Sequence, residues 1–350
     1  MLKEIIIEKI KKHGPIPFDE FMEMALYYPD VGYYTRADIK IGKEGDFFTA
    51  SHLGSVFGFL LSKDVENIYQ KLNCPQDFTV TELGPGMGYL AKDILDEVSI
   101  PLKYNLVEIN PSLRDLQQQN LKQHFDKTHW VNSIDDLDPF TGVFICNEVF
   151  DALPVRVFEI DESKEVMEVY VDFKDDEFIE TLLPCRKDTL QYIKEFAPGV
   201  LKIKGYRSEV NLKMKSLIDA LSKKLQKGYL LIFDYGYNSQ EYYHPDRKGT
   251  LLCYHKHTIN ENPYINIGRQ DITAHVNFTA LKKWAEEAGF NCEGYFSQSK
   301  YLISLCNEAV LKEIYQKNLI QLFKRVVLPQ GMGESHKVII LSKNLDSHFR

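Results

Sequence analysis

The stretch Phe78-Thr79-Val80-Thr81-Glu82-Leu83-Gly84-Pro85-Gly86-Met87-Gly88 decides the fold class of this chain. Its first six residues are rich in apolar and β-branched side chains, and they predict a strand that ends at the first glycine. Leu90, Ala91, Ile94 and Leu95 follow with the spacing of one helix face. A strand that turns through glycines into a helix is the opening unit of a parallel α/β sheet.

The same alternation continues beyond this unit. Residues 104–108, 130–131, 143–146 and 229–233 each predict a further strand, and helical patterns lie between several of them. Because the connections are short, the order of the elements predicts an α/β fold with a Rossmann-like, doubly wound parallel sheet.

The first 75 residues lie outside this alternation. They predict helices and irregular loops, which we interpret as an N-terminal helical cap or lid over residues 1–75. The remainder, residues 76–350, is expected to form one elaborated α/β domain.

A second departure from the alternation follows the fourth strand. Residues 155–183 predict an antiparallel β-meander, and a helix from about Ser208 would end at Gly228. We therefore expect an inserted β-meander and helix segment at about residues 155–227, and a substrate loop at about residues 237–277.

The composition is that of a soluble globular protein with a sizeable core, since 44% of the 350 residues are hydrophobic and 26% are charged. It excludes a disordered or collagen-like chain. No apolar run reaches the roughly 18–20 residues that span a bilayer, so we expect no membrane insertion. The formal net charge of −8 disfavours nucleic acid as the main partner and suits a basic peptide or a small molecule.

The six cysteines form no C-x-x-C pair, which indicates reduced thiols, and we predict no metal site. The N-terminal residues carry acids early and show neither a long apolar segment nor an Arg- and Ser-rich pattern. We therefore expect no signal or transit peptide and a cytoplasmic location.

The glycine-rich turn after the first strand is suited to a cofactor with an anionic group. Glycines let the backbone approach a ligand closely, and the N–H groups of the following helix face that ligand. A dinucleotide is one candidate, because residues 86–91 match G-x-G-x-x-A and Glu108 follows about 20 residues later. S-adenosyl-L-methionine is the other, because Glu82, Gly84 and Gly86 match E-x-G-x-G.

Three features favour S-adenosyl-L-methionine. Glu82 precedes the first glycine where a dehydrogenase usually has an apolar residue. Pro85 separates the first two glycines. The pair Gly84 and Gly86 also lies nearer the strand end than the pair Gly86 and Gly88.

Two acids are then expected to bind the nucleoside. Glu108, at the end of the second strand, offers two carboxylate oxygens to the two ribose hydroxyls. Asp135, after the third strand, would either accept a hydrogen bond from the adenine amino group or be an acid of an ordinary Ser/Asp turn. The predicted cofactor-binding residues are Glu82, Gly84, Gly86, Gly88, Glu108, Asp135 and Asn147.

Polar residues also follow the fourth strand, where Asn147, Glu148 and Asp151 come directly after four apolar positions. Ligands of doubly wound sheets bind beyond the carboxyl ends of the strands, near the switch point. We therefore expect these three side chains where a transferred methyl group would leave its sulfur.

Residues 147–154, Asn-Glu-Val-Phe-Asp-Ala-Leu-Pro, resemble the N-E-x-x-D-A-L-P signature of the MidA-type methyltransferases. The likeness runs in order from about residue 14 to residue 341, and Pro17 and Asn277 depart from the commonest pattern. The other matching stretches are Gly14-Pro15-Ile16-Pro17-Phe18 with Phe21-Met22, Tyr28-Pro29 with Gly32-Tyr33-Tyr34, Gly42 with residues 45–50, residues 271–278, and residues 331–334.

The resemblance implies an S-adenosyl-L-methionine-dependent protein arginine methyltransferase that forms symmetric ω-dimethylarginine on a subunit of respiratory complex I. A guanidinium group stays protonated and is a poor nucleophile until a carboxylate orients it. We expect Glu148 to bind the guanidinium and Asp151 to be a second acid or a structural cap. His275 would either take or relay a proton or be a hydrogen-bonded structural residue at a helix entry. Tyr33, Tyr34 and Phe47 would either cover substrate and donor as a lid or pack in the core of the helical cap.

The sequence leaves two other functions open. The long insert at residues 155–227 is consistent with a non-catalytic assembly factor that keeps a donor pocket and binds a partner protein. The match at residues 86–91 is consistent with a dinucleotide-binding oxidoreductase. Calorimetry with both cofactors separates the oxidoreductase from the methyltransferase.

Overall fold

The computed structural model describes residues 1–37, 55–328 and 333–345. Some residues that carry the resemblance, and one expected lid residue, lie outside the described residues. They are Gly42, residues 45–50 with Phe47 among them, Gly331 and Met332.

The described α-helices are, in chain order, α1 (Leu2–His13), α2 (Phe18–Tyr27), α3 (Val56–Lys71), α4 (Tyr89–Glu97), α5 (Pro111–Asn120), α6 (Lys187–Phe196), α7 (Lys213–Lys224), α8 (Ser239–Tyr242), α9 (Phe278–Glu287), α10 (Gln298–Ser304), α11 (Glu308–Gln316) and α12 (Ile320–Val327).

The described strands are, in chain order, β1 (Ile16–Pro17), β2 (Phe78–Leu83), β3 (Lys103–Val107), β4 (Thr128–Val131), β5 (Phe140–Asn147), β6 (Arg156–Ile160), β7 (Val166–Lys174), β8 (Glu177–Pro184), β9 (Arg207–Val210), β10 (Leu225–Tyr237), β11 (Leu252–His255), β12 (Thr258–Asn260), β13 (Asp271–Thr273), β14 (Val276–Asn277), β15 (Asn291–Ser297) and β16 (His336–Lys343).

The chain divides into two compact units. Unit 1 consists of Met1–Lys40, Phe150–Ser216 and Gly236–Leu281, and unit 2 consists of Ile41–Val149, Leu217–Tyr235 and Lys282–Arg350. The boundary that the sequence analysis expected at residue 75 does not coincide with the bounds of these two units. The roles of residues 1–75 as a cap and of residues 237–277 as a substrate loop stay predictions.

Unit 2 is built around one twisted sheet. Its strands are ordered β15–β16–β10–β5–β2–β3–β4. The five strands from β10 to β4 run parallel to one another, and β16 is antiparallel to both β10 and β15. The predicted Rossmann-like, doubly wound α/β sheet is therefore confirmed.

The sheet of unit 2 lies inside an apolar core, as parallel sheets do when both faces are covered. All residues of β2 are buried. Phe57 and Leu60 of α3 and Ile94 of α4 belong to the same buried cluster as Val143 of β5. This packing fixes the central strands, so that the loops after them start from defined positions.

Gly228 lies inside β10 rather than at the end of a helix, and the prediction of a helix C-terminus there is wrong. Helix α7 already ends at Lys224. A Cβ atom at Gly228 would lie 1.8 Å from the carbonyl oxygen of Gly142 on β5. The glycine is needed because two strand backbones approach closely at this point.

Unit 1 contains the predicted meander, in which β7 is antiparallel to both β6 and β8. The helix expected from about Ser208 begins instead at Lys213, because Arg207–Val210 forms β9 and pairs with β6. Phe18, Phe21 and Met22 of α2 lie in the core of this unit.

Within the described ranges, no helix is both long enough and apolar enough to cross a membrane. All six cysteines belong to the described residues, and each is a free thiol.

Candidate active site

The carboxyl ends of three neighbouring strands bring several of the predicted donor-binding residues of unit 2 together, namely the glycines of the turn, Glu108 and Asn147. Leu83 at the end of β2 pairs with Val107 of β3 and with Cys146 of β5. The residues that follow these strands therefore leave the sheet at one edge. The Gly84 N–H donates to Val107 O at 3.2 Å, and a Cβ atom at Gly84 would lie 3.5 Å from Val149 Cγ2.

The glycine turn adopts a backbone conformation that other residues avoid. Gly84, Gly86 and Gly88 have φ values of +60°, +54° and +75°, which lie in the left-handed region that favours glycine. Gly88 is the N-cap of α4. A Cβ atom at Gly86 would meet no heavy atom of the described residues within 4 Å. The turn therefore leaves open space beside its backbone, as a closely bound ligand requires.

Glu108 lies directly after β3 and is 6% exposed. Its Oε1 accepts from the Asn110 N–H at 2.8 Å, and its Oε2 accepts from Gln117 Nε2 at 3.0 Å. Burial raises the pKa of this carboxyl to about 7, against the opposing effect of these hydrogen bonds. Donors from a ribose diol would favour the charged carboxylate, so this side chain suits the predicted role.

Gln117 is a residue that the sequence analysis missed. Its side chain on α5 is buried, and its Nε2 also donates to the Gly86 carbonyl oxygen at 2.7 Å. Its Oε1 accepts from Trp130 Nε1 at 2.9 Å. One amide therefore links the glycine turn to Glu108. In the sequence, Gln117 is one of three consecutive glutamines, so its residue type gave no signal.

Glu82 and Asp135 lie in different surroundings from Glu108. Glu82 is buried within β2, where its Oε2 accepts from the Tyr104 hydroxyl at 2.8 Å, and burial raises its pKa to about 7. The Asp135 side chain is exposed on a short turn. The backbone oxygen of Asp135 accepts from Lys224 Nζ at 2.9 Å. The donor-binding roles of both acids stay predictions.

Glu148 follows β5 in a strained conformation. Its φ is +52°, and a residue with a Cβ atom occupies this region at a cost of about 1–2 kcal/mol. Its N–H donates to Phe233 O at 2.8 Å, and its side chain is 4% exposed. Asn147 Nδ2 donates to Glu148 Oε1 at 3.4 Å. Strain of this kind is concentrated at functional sites, so the geometry fits the acid that the sequence selected.

Asn147 supplies a further polar atom at this edge. Its Oδ1 is buried and has no hydrogen-bond partner among the described residues. A buried acceptor without a donor is costly unless a ligand completes it. Together with the space beside Gly86 and the buried Glu108 carboxylate, it fits a nucleoside that also carries amino groups.

Unit 1 holds the other predicted catalytic residues within a buried polar cluster. Asp151 is buried, and its backbone oxygen accepts from the Ala274 N–H at 2.9 Å. Asp271 is also buried, and its Oδ1 accepts from the Tyr34 hydroxyl at 2.8 Å. Burial, followed by the charges of Asp271 and Asp151, raises the pKa of Tyr27 above its usual range. Both carboxylates are therefore close enough to Tyr27 to influence it.

His275 and the expected lid tyrosines also belong to unit 1. His275 is partly buried, its N–H donates to Thr250 Oγ1 at 3.0 Å, and its ring lies 5.2 Å from that of Tyr237. Tyr33 packs against Tyr34 with 5.0 Å between ring centroids. The proton-relay role of His275 and the lid role of the tyrosines stay predictions.

The chain matches a known family and is similar to curated and solved proteins over nearly its whole length. The family described as S-adenosyl-L-methionine-dependent methyltransferases matches residues 60–296. Among curated relatives, a Drosophila melanogaster protein named "Protein arginine methyltransferase NDUFAF7 homolog, mitochondrial" is 25% identical, with 97% of this chain and 85% of that protein covered. The Danio rerio protein named "Protein arginine methyltransferase NDUFAF7, mitochondrial" is 27% identical, with 94% and 84% covered.

A solved structure supports the cofactor. A Burkholderia thailandensis protein crystallised with S-adenosyl-homocysteine is 28% identical and has a TM-score of 0.88, with 99% of this chain and 92% of that chain covered. S-adenosyl-homocysteine is the product that S-adenosyl-L-methionine leaves after methyl transfer. S-adenosyl-L-methionine is therefore the cofactor, and the dinucleotide alternative is set aside.

The expectation of a cytoplasmic location is wrong. The curated relatives from Drosophila melanogaster, Danio rerio and Mus musculus are all named as mitochondrial proteins.

The glycine turn and the acids after β3 and β5 therefore occur in a chain whose sequence and fold both match those of S-adenosyl-L-methionine-dependent methyltransferases. The chain belongs to the S-adenosyl-L-methionine-dependent methyltransferase family of MidA type.

Proposed function

We propose that the protein is a class I S-adenosyl-L-methionine-dependent protein arginine N-methyltransferase. The names of the curated relatives support an arginine in a protein substrate. The resemblance to the MidA-type family extends the proposal to symmetric ω-dimethylation of an arginine in a respiratory complex I subunit. The observation that carries the proposal is the strained, buried Glu148 at the carboxyl end of β5, beside the glycine turn.

The donor would be bound by residues of unit 2. Glu108 would accept hydrogen bonds from the ribose hydroxyls, and the turn at Gly84, Gly86 and Gly88 would let the donor lie against the backbone. Asn147 Oδ1 would accept from an amino group. When bound, S-adenosyl-L-methionine supplies an electrophilic methyl group on a sulfonium.

Glu148 would orient the nucleophile. A guanidinium pairs with a carboxylate in a planar, bidentate arrangement, which fixes the direction of its nitrogens. Alignment of this kind, together with the exclusion of water, is the main source of rate in a displacement reaction. Methylation of a guanidinium releases one proton, and we propose Asp151 as a second acid and His275 as the group that takes or relays this proton.

The test combines a labelled methyl donor with matched variants. Wild-type protein is incubated with native lysate and labelled S-adenosyl-L-methionine, and the labelled residue is mapped by mass spectrometry. We expect label on arginine. Glu148→Gln should reduce transfer by roughly a hundredfold or more, while calorimetry shows unchanged affinity for S-adenosylhomocysteine.

Glu286→Gln is the control, because Glu286 is an exposed acid on α9 and belongs to unit 2, as Glu148 does. It should transfer label as the wild type does. Normal transfer by Glu148→Gln would remove the proposed role of Glu148. Label on another residue type would contradict the substrate class, and an unlabelled partner that still co-purifies would favour the assembly-factor function.

A further inference from the structure

His336 is a buried histidine of unit 2 that no motif of the sequence selected. It is the first residue of β16 and is 5% exposed. In the antiparallel ladder it lies opposite Tyr235 of β10, and the two rings meet edge to face at 5.5 Å. Its Nδ1 lies 3.1 Å from Ser335 Oγ. Backbone pairing and two side-chain contacts therefore fix the position of the imidazole.

The other ring nitrogen faces the acid after β5. His336 Nε2 lies 3.8 Å from Glu148 Oε1, and both side chains are almost fully buried. The same carboxylate oxygen accepts from Asn147 Nδ2 at 3.4 Å. Asn147 and His336 thus approach Glu148 Oε1 from two strands, β5 and β16. Electrostatic contacts are stronger in such a buried setting than in water.

His336 and Ser342 are the buried polar residues of β16, near its two ends. Val338, Ile339 and Leu341 of β16 are buried and apolar. Burying an imidazole instead of an apolar side chain is unfavourable unless polar groups face its nitrogens. Here Ser335 Oγ faces Nδ1 and Glu148 Oε1 faces Nε2.

We propose that His336 is a positioning residue for Glu148, which holds the carboxylate in the orientation that a planar guanidinium requires. The inference rests on the proposed function, because it takes Glu148 as the acid that binds the substrate arginine. A bidentate pair depends on the plane of the carboxylate, so a small rotation of Glu148 would weaken it. The 3.8 Å contact is longer than a hydrogen bond, and contacts of this kind commonly tighten when substrate binds.

The test measures binding of a defined probe to protein loaded with S-adenosylhomocysteine. The probe is N-acetyl-L-arginine amide, titrated by NMR, and N-acetyl-L-lysine amide is the comparison ligand. We expect the wild type to prefer the arginine probe. His336→Leu should weaken binding of the arginine probe about tenfold, which corresponds to about 1.4 kcal/mol. His336→Gln, which keeps a polar group near Glu148, should recover most of the loss.

Two further variants separate positioning from general damage. His129→Leu is the matched control, since His129 is an exposed histidine on β4 of the same unit, and it should bind the probe as the wild type does. If His336→Leu does not fold, His336→Asn replaces it, because its amide is too short to reach Glu148. All folded variants should keep the wild-type affinity for S-adenosylhomocysteine.

The outcomes distinguish this inference from the proposed function. If His336→Leu binds the arginine probe as the wild type does while Glu148→Gln loses it, the role of His336 is overturned and that of Glu148 stands. If Glu148→Gln also binds normally, or if the wild type shows no preference for arginine, the guanidinium role of Glu148 is overturned and the inference falls with it. Equal losses in His336→Leu and His336→Gln would also contradict positioning through a polar contact.

Discussion

The Gln117 side chain donates a hydrogen bond to the Glu108 carboxylate, with 3.0 Å between Gln117 Nε2 and Glu108 Oε2. The same nitrogen donates to the carbonyl oxygen of Gly86 at 2.7 Å. The acid proposed to bind the ribose and the turn proposed to hold the rest of the donor are therefore joined by one amide. A change at Gln117 should affect both at once.

Gln117→Leu should weaken binding of S-adenosylhomocysteine by about 1–3 kcal/mol, or roughly fivefold to 150-fold, because buried hydrogen-bond partners are left incomplete. The free energy of unfolding should fall by a similar amount, since the Trp130 indole also loses its acceptor. Calorimetry and urea denaturation measure the two effects. Gln118→Leu is the control, because Gln118 is exposed on the same helix; equal effects in both variants would contradict the link.

Binding of the donor product should depend on pH through Glu108. Its pKa is raised to about 7 by burial, so the carboxyl of the free protein is largely protonated below this pH. A ribose diol donates to the charged form, and the affinity for S-adenosylhomocysteine should therefore fall by up to about tenfold per pH unit below 7. Glu108→Gln should bind more weakly and lose this dependence. A wild-type affinity that is constant between pH 5.5 and 8 would contradict the role of Glu108.

Glu82→Gln should stabilise the protein at alkaline pH. The pKa of Glu82 is raised from 4.5 to about 7 by burial, so the folded state favours the neutral form. The stability that Glu82 contributes is fully present below pH 4.5 and is lost as the pH rises through 7. Glutamine keeps an acceptor for the Tyr104 hydroxyl without the buried charge. The gain in free energy of unfolding at pH 8 should be at most about 3 kcal/mol.

The same variant decides whether Glu82 binds the donor. Unchanged affinity for S-adenosylhomocysteine would make Glu82 a structural acid within the sheet, and a tenfold loss would support the predicted cofactor role. No stabilisation at pH 8 would contradict the buried charge as the source of the effect.

Gly86→Ala should weaken binding of the donor product, and this loss should exceed that of a glycine-to-alanine change elsewhere that costs the same folding free energy. Its φ of +54° makes alanine unfavourable by about 1 kcal/mol, although its Cβ atom would meet no described residue. Gly205→Ala is the matched control, because Gly205 has a φ of +68° and equally open surroundings. Urea denaturation should show similar losses in the free energy of unfolding for the two variants. Calorimetry with S-adenosylhomocysteine should show weaker binding in Gly86→Ala only. Equal affinities would place the donor away from the turn.

The sequence predicted those parts of the site that follow from sheet geometry. Once residues 78–83, 104–108 and 143–146 are interpreted as parallel strands, Gly84, Glu108 and Glu148 must leave the sheet at its carboxyl edge. Periodicity and glycine positions are sufficient for this step. The central sheet and the meander after it were therefore predicted correctly.

The remaining parts of the site depend on contacts between residues that are far apart in the sequence. Gln117 faces inward because α5 packs beside the glycine turn, and His336 approaches Glu148 only because β16 joins the sheet next to β10. Local patterns also failed where strand pairing overrode them. Residues 207–210 have a helical spacing of apolar positions when taken with the segment that follows, yet they form β9 because β6 offers backbone partners.

The positive φ of Glu148 has a consequence for how this protein tolerates change. Glycine or asparagine at position 148 would relax the backbone there. Selection for thermal stability alone would therefore favour replacement of Glu148. Under the proposed function, folding stability and methyl transfer therefore place opposite demands on residue 148, and a more stable variant that keeps Glu148 would have to gain its stability at other positions.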